Sequence, residues 1–236
     1  MKLSSETISV LKNFATINQN LIIKSGSELS TMSAMNNILG KAKVKESFPQ
    51  EFAIYDLNEF LAAISLFDNP DLDFKDDFVV ITETGSPGTA LKYWYSDPSV
   101  VTSPTKEITM PESEVNFDLS NEKLSTITKA AAVIGVPDMS LESMSSTVAL
   151  LKVTDKKNAT ANDYALSLDV DNEDELQDAT YKFWFKVENL KLIPGSYRVQ
   201  VSSKNISHFK NSSDNVEYFI ALESESKYNA WFKEFI

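Results

Sequence analysis

The sequence contains no cysteine, which removes disulfides, thiolate nucleophiles and thiolate metal sites together. Histidine is nearly as scarce. His208 is the only one, and a lone histidine in a chain without cysteine cannot build a common zinc site. The six glycines never fall into a GxxxxGKS/T or GxGxxG pattern, so no phosphate-cradling loop is present and nucleotide hydrolysis is not expected. No stretch is apolar for long enough to span a bilayer, and Met1 to Thr7 lacks the apolar run of a secretion signal. We therefore expect a cytoplasmic protein with no membrane partner. Basic charge is also in short supply: 22 Lys and Arg against 34 Asp and Glu leave a net charge of −12, which repels polyanions at long range. Any contact with nucleic acid must be local.

What is present is the composition of a folded chain, 42% hydrophobic and 11% aromatic, in a length of 236 residues that accommodates two domains of roughly 110 each. An internal echo favours two. Leu3-Ser4-Ser5-Glu6 opens an amphipathic helix, and Leu119-Ser120-Asn121-Glu122 opens another 116 residues later. Ile8, Leu11, Ala15 and Ile17 fall in register with Leu124, Ile127, Ala131 and Val133, and the polar stripe of the first helix is Ser5, Ser9, Lys12 and Thr16. Asp56 caps a second helix with the apolar face Leu57, Phe60, Leu61 and Ile64. Its counterpart is expected from Val187 to Leu192, stopped by Pro194-Gly195. Strand-like runs fill the remainder, and Pro98, Pro104 and Pro111 mark an extended connector. The reading is an α+β chain with a first domain over 1–96, a connector over 97–111, a second domain over 112–222 and a tail over 223–236.

Candidate chemistry is sparse. The run from Asp169 to Asp174 begins like a calcium loop, but Asp174 stands where the sharp turn needs glycine and Thr180 where the bidentate glutamate belongs. It reads as an acidic solvated turn. Asp68, Asp71, Asp73, Asp76 and Asp77 flank strands without the framing of a paired acid and base, and His208 beside Phe209 reads as an ordinary surface or hairpin residue. The chain is accordingly expected to be neither an enzyme nor a cofactor binder. The lysines stand out by placement instead: Lys12 lies on the polar stripe of the first helix, Lys123 and Lys129 lie on that of its repeat, and Lys2 and Lys191 flank other elements.

Several runs carry a family resemblance: Met1-Lys2-Leu3-Ser4, Leu11-Lys12-Asn13-Phe14-Ala15-Thr16-Ile17-Asn18, Ala53-Ile54-Tyr55-Asp56-Leu57-Asn58 with Phe60-Leu61, and Asp97-Pro98-Ser99. Pro194-Gly195 with Tyr197 and Ala221-Leu222-Glu223 extend it. In these the chain resembles the sliding clamps, or DNA polymerase processivity factors, of T-even-like bacteriophages. The resemblance implies two DNA-clamp domains, each with two helices packed on antiparallel sheet. It implies a homotrimeric ring with helices inside around duplex DNA, held topologically and without sequence preference. Lys2, Lys12, Lys123, Lys129 and Lys191 would face DNA, although Ser5 and Thr126 stand where relatives can carry a basic residue. Subunits would join by sheet continuation, Trp94 of one copy meeting Tyr164, Leu166 and Leu168 of another; the alternative is that Trp94 is an ordinary core aromatic. Partner peptides would dock over Val100, Val101, Ile108 and Leu222. The implied partners are the phage DNA polymerase, an ATP-dependent clamp loader and late-transcription factors, in the cytoplasm of an infected bacterium. The alternative is a virion structural or assembly protein that reuses the duplicated domain without encircling DNA. The aromatic tail from Tyr228 to Ile236 lies beyond the resemblance, and is expected either to occupy a partner pocket or to pack on the sheet.

Overall fold

In the computed structural model the described residues are 1–86, 88–104, 107–171, 179–213 and 215–229. The chain forms two compact units, Met1–Glu107 and Ile108–Ile236. The first opens with α1 (Ser5–Ile17), followed by β1 (Leu21–Ile23), β2 (Gly26–Met32), β3 (Ile38–Phe48), β4 (Phe52–Ile54) and α2 (Leu57–Ile64). It closes with β5 (Pro70–Phe74), β6 (Phe78–Glu83) and β7 (Ala90–Trp94). The second runs β8 (Val115–Leu119), α3 (Asn121–Ile134), β9 (Asp138–Ser143), β10 (Val148–Thr154), β11 (Tyr164–Asp169), β12 (Thr180–Lys186), β13 (Tyr197–Ser202), β14 (Ile206–Asn211), β15 (Val216–Ala221) and β16 (Lys227–Asn229).

Each helix begins where a side chain satisfies the free amides of its first turn. Ser4 accepts from the Thr7 amide, Ser120 from the Lys123 amide, and Asp56 from the amides of Asn58 and Glu59. The two serine caps are again 116 residues apart, so the echo in the sequence is a repeat of helix starts. α1 packs on β2, β3 and α2 through Thr7, Val10, Leu11, Phe14 and Ile17. The Phe14 ring comes so close to β3 that a Cβ on Gly40 would lie 3.0 Å from it, so a larger residue there would have to push the ring aside. α3 packs chiefly on β10 and β11 among the described residues and buries the narrower stripe Leu124, Ile127 and Ala131. That difference overturns one expected pairing: Ile17 is core, whereas Val133, its partner in the repeat, is 83% exposed.

Among the described residues the strand pairings within each unit are antiparallel. In the first unit β2 and β3 form a long hairpin, β1 pairs with β4, and β5-β6-β7 make a three-stranded sheet. In the second unit one sheet runs β15-β14-β13-β8 and the other β11-β10-β9-β12-β16. Alternating apolar positions such as Ala149, Leu151 and Val153 turn to the core. One expected helix is replaced. The segment from Val187 forms only a 3-10 turn, Val187–Asn189, so the described residues hold three α-helices and not four. The cause is local, because Lys186 offers no capping bond where Asp56 offers two, and Leu190 already leaves helical geometry. As far as Asn229 the tail packs on the sheet, where Lys227–Asn229 adds to β12, and residues 230–236 lie outside the described residues.

Candidate functional site

The outward faces of α1 and α3 are the first candidate surface. Ser5, Ser9, Lys12 and Thr16 are exposed along α1, and Asn121, Glu122, Ser125 and Lys129 along α3. Of the five expected lysines, Lys2, Lys12 and Lys129 are exposed, while Lys123 and Lys191 are half-buried. Lys123 is also engaged, since its Nζ donates to the Ser167 carbonyl at 3.1 Å and so ties α3 to β11. The start of α1 is tethered as well. Glu46 on β3 accepts from the Ser4 amide and from the Thr7 hydroxyl. Burial pushes the Glu46 carboxyl up, but the bonds from Thr7 and Ser4 outweigh it and hold the group below its ordinary range. Lys45 reaches Glu6 at 3.0 Å, and the Glu6 backbone amide together with Lys45 draws that exposed carboxyl down to about 2.

The second candidate surface consists of sheet edges. β7 is the terminal strand of its sheet, and its Trp94 is 61% exposed, tilted against Phe78 at 5.0 Å between centroids. Lys92 holds its ammonium 4.1 Å from the Phe78 ring centre and 5.2 Å from that of Trp94. β11 is the terminal strand at one side of the five-stranded sheet. There Tyr164 is 40% exposed and Leu166 half-buried, while Leu168 is a core residue at 1%, so it can contribute to a contact only through its backbone. Among the residues expected to receive partner peptides, Val100 is exposed on the 3-10 turn Pro98–Val100 and Val101 is buried. Ile108 is half-buried and Leu222 buried.

Sequence reasoning missed two polar clusters. His208 lies on a hairpin strand, β14, but not at the surface: it is 9% exposed, stacked on Phe219 at 4.4 Å, with Nε2 2.9 Å from Glu217 and Nδ1 3.1 Å from Gln200. Gln200 and Phe219 lie directly across from it on β13 and β15, a relation that only the register reveals. The other cluster joins β9, β12 and the chain after β15. Asp138, buried, accepts from Lys186 at 2.5 Å, while Lys156 bridges Glu223 at 3.2 Å and Glu225 at 3.1 Å. Lys156 and Lys182 also lie over the Trp184 ring at 5.6 and 4.6 Å. In the acidic run from Asp169 to Asp174, Asp171 pairs with Arg198, and residues 172–178 lie outside the described residues. No group of three or more acidic or histidine side chains among the described residues is placed to hold a metal ion.

Comparison with known proteins gives a consistent result along the chain. A family model described as DNA polymerase processivity factor matches residues 4–102, and one described as gp45 sliding clamp, C terminal, matches residues 116–224. The sliding clamp of Vibrio phage KVP40 is 37% identical over 231 residues, covering 95% of this chain and 100% of the relative. That of Enterobacteria phage T4 is 29% identical, covering 97% and 100%. Among solved structures, proliferating cell nuclear antigen from Thermococcus kodakaraensis superposes with a TM-score of 0.68 at 16% identity, covering 92% of this chain and 96% of that one. The Entamoeba histolytica protein gives 0.66 at 15%, covering 92% and 95%. These two likenesses concern the fold.

Proposed function

This chain belongs to the sliding-clamp family of DNA polymerase processivity factors, and from that premise we propose that three copies close into a ring around duplex DNA. The ring tethers the phage replicative polymerase in the cytoplasm of the infected host. The observation that carries the proposal is the pair of polar helix faces. In a chain of net charge −12, α1 and α3 present small polar side chains with Lys12 and Lys129 exposed among them. Such faces meet phosphates weakly and read no bases, which permits sliding, while closure of the ring supplies retention. A tethered polymerase then works at high effective concentration without a tight contact to DNA.

The free edges support the assembly. β7 and β11 are different strands in different units, so a contact between them is head-to-tail, and a head-to-tail contact closes into a ring when its rotation permits. Trp94 at one edge and Tyr164 with Leu166 at the other are the side chains proposed to meet there. Because the chain carries no phosphate-cradling loop, opening of the ring falls to a separate ATP-dependent loader. Val100 is the exposed contact proposed for polymerase and late-transcription partners.

The test compares linear duplex DNA with free ends against the same DNA blocked at both ends by bulky caps, with the protein concentrated enough to assemble. Threading that requires free ends establishes topological linkage. Equal binding to both DNAs would mean ordinary surface affinity and overturn the ring. Binding to neither, even with a loader and ATP added, would favour a virion component.

A further inference from the structure

The outer edge of β12 is occupied by the chain's own C-terminal segment, and the occupancy has the form of a bound peptide. Glu223 donates its amide to the Trp184 carbonyl at 2.8 Å, and Ser226 accepts from the Trp184 amide through its hydroxyl at 2.9 Å. Beyond that turn Lys227–Asn229 pairs with Thr180–Lys182 in antiparallel register. A strand of three residues makes few ladder bonds, and Lys227 and Asn229 are exposed. Side chains supply the selectivity. Lys156 takes both Glu223 and Glu225, and Lys186 lies 4.0 Å from Glu223 while engaged with buried Asp138. Tyr228 lies nearly parallel to Tyr181 and Phe183, at 6.5 and 6.3 Å with interplanar angles of 19° and 15°.

We propose that the β12 edge is a strand-addition site for an extended acidic-aromatic segment of a partner protein, and that residues 223–229 are a displaceable strap holding it in the resting chain. The occupant's chemistry is set by the receptor. Two carboxylates spaced two residues apart meet the Lys156 ammonium beside the Trp184 ring, and an aromatic side chain three residues further on covers Tyr181 and Phe183. Burial lowers the Lys156 pKa, but Glu225 and Glu223 more than compensate and hold it above the ordinary lysine range, so the site stays cationic through neutral pH. The backbone of β12 gives affinity, and the lysine and the aromatic platform give selectivity. A strap in cis competes at the high local concentration of a short tether, so a partner gains access only by matching these contacts better. The site is built wholly from the second unit and does not depend on ring closure.

The test uses the full chain and a synthetic peptide of residues 222–236 added in trans, with amide chemical shifts of Thr180 to Lys186 as the readout. In a triple variant, Glu223→Lys, Glu225→Lys and Tyr228→Ala, the strap is released, and the peptide binds at least tenfold more tightly than to the unaltered chain. Adding Lys156→Glu removes that binding. Equal affinity for the released and unaltered chains, or binding indifferent to Lys156, overturns the proposal. Hydrogen exchange on the unaltered chain covers the case in which the released variant does not fold. Amides on the outer edge of β12 and in 226–229 exchange at least a hundredfold faster than those of β9 and β10 if the strap opens. Exchange as slow as in those strands refutes it.

Discussion

Replacing Glu46 should loosen α1, the helix that carries the exposed Lys12 face, from the strand beneath it. The carboxylate accepts from the Ser4 amide and the Thr7 hydroxyl, and Thr7 is 1% exposed. It also lies at the positive end of the helix. A hydrogen bond to a charged group contributes roughly 1.5–3 kcal/mol, and removing the acceptor strands a buried donor. Glu46 is partly exposed, so screening discounts the total, and Glu46→Ala should cost about 2 kcal/mol at pH 7. Glu46→Gln keeps an acceptor and loses only the charge, and should cost about 1 kcal/mol. The sign with pH follows from the direction of the shift. The folded-state pKa lies below the ordinary value of 4.5, so the stabilisation is complete above that pH and is lost as pH falls through the folded-state value. Urea unfolding of the three proteins at one fixed protein concentration, at pH 7 and in steps down to about pH 3, measures both effects. The Gln variant should converge on the unaltered protein as pH falls. A cost below about 0.5 kcal/mol for the Ala variant, or a Gln difference that does not change with pH, would refute the tether.

Lys12→Glu with Lys129→Glu should leave stability within about 0.5 kcal/mol, since both side chains are exposed. The same pair should weaken retention on duplex DNA and flatten its salt dependence, each lost phosphate contact reducing the log–log slope by roughly 0.9. Trp94→Ala should raise the concentration at which assemblies dissociate at least tenfold in sedimentation, with little change in the folding of the chain, because the ring is 61% exposed. Gly135 ends α3 at φ 68°, in the left-handed region, so Gly135→Ala should lower thermal stability by about 1 kcal/mol and Gly135→Asn by less.

Local signals were legible in the sequence because their causes are local. Ser4, Ser120 and Asp56 start their helices through amides two or three residues away, and alternation in Val148–Thr154 turns one face of a strand inward. Partners set by register were not legible. His208 looked like a surface residue because Gln200, Glu217 and Phe219 are brought to it only by pairing of three strands. Packing of the tail on the sheet was one of two expected outcomes, but its charged partner was hidden for the same reason: Glu223 and Glu225 meet Lys156 across 67 and 69 residues of chain. The apolar face of α3 was legible only in part, because periodicity marks a stripe and not its width. Width depends on what the helix rests against: α1 packs against α2 as well as strands, whereas among the described residues α3 packs chiefly on strands.

The repeat itself separates tethering from charge. A shift of 116 residues places Thr7 on Lys123, and each of these side chains fastens its helix to a strand, Thr7 through Glu46 on β3 and Lys123 through the Ser167 carbonyl on β11. The same shift places Lys12 on Thr128 and Asn13 on Lys129, so the exposed lysines do not repeat position by position. What the two units share is therefore a capped and tethered helix with a polar outer face, and the cations are distributed over that face without a fixed geometry. That arrangement suits a surface meeting a regular array of phosphates without register. A base-reading surface would require specific side chains at specific positions. It also sets Lys123 apart from Lys12 and Lys129, the exposed lysines proposed to face DNA: its ammonium donates to β11, the proposed assembly edge, and Lys123→Ala should disturb that edge before it disturbs contact with DNA. Sedimentation and DNA retention measured on the same variant separate the two. Loss of DNA retention with assembly unchanged would return Lys123 to the lysines proposed to face DNA.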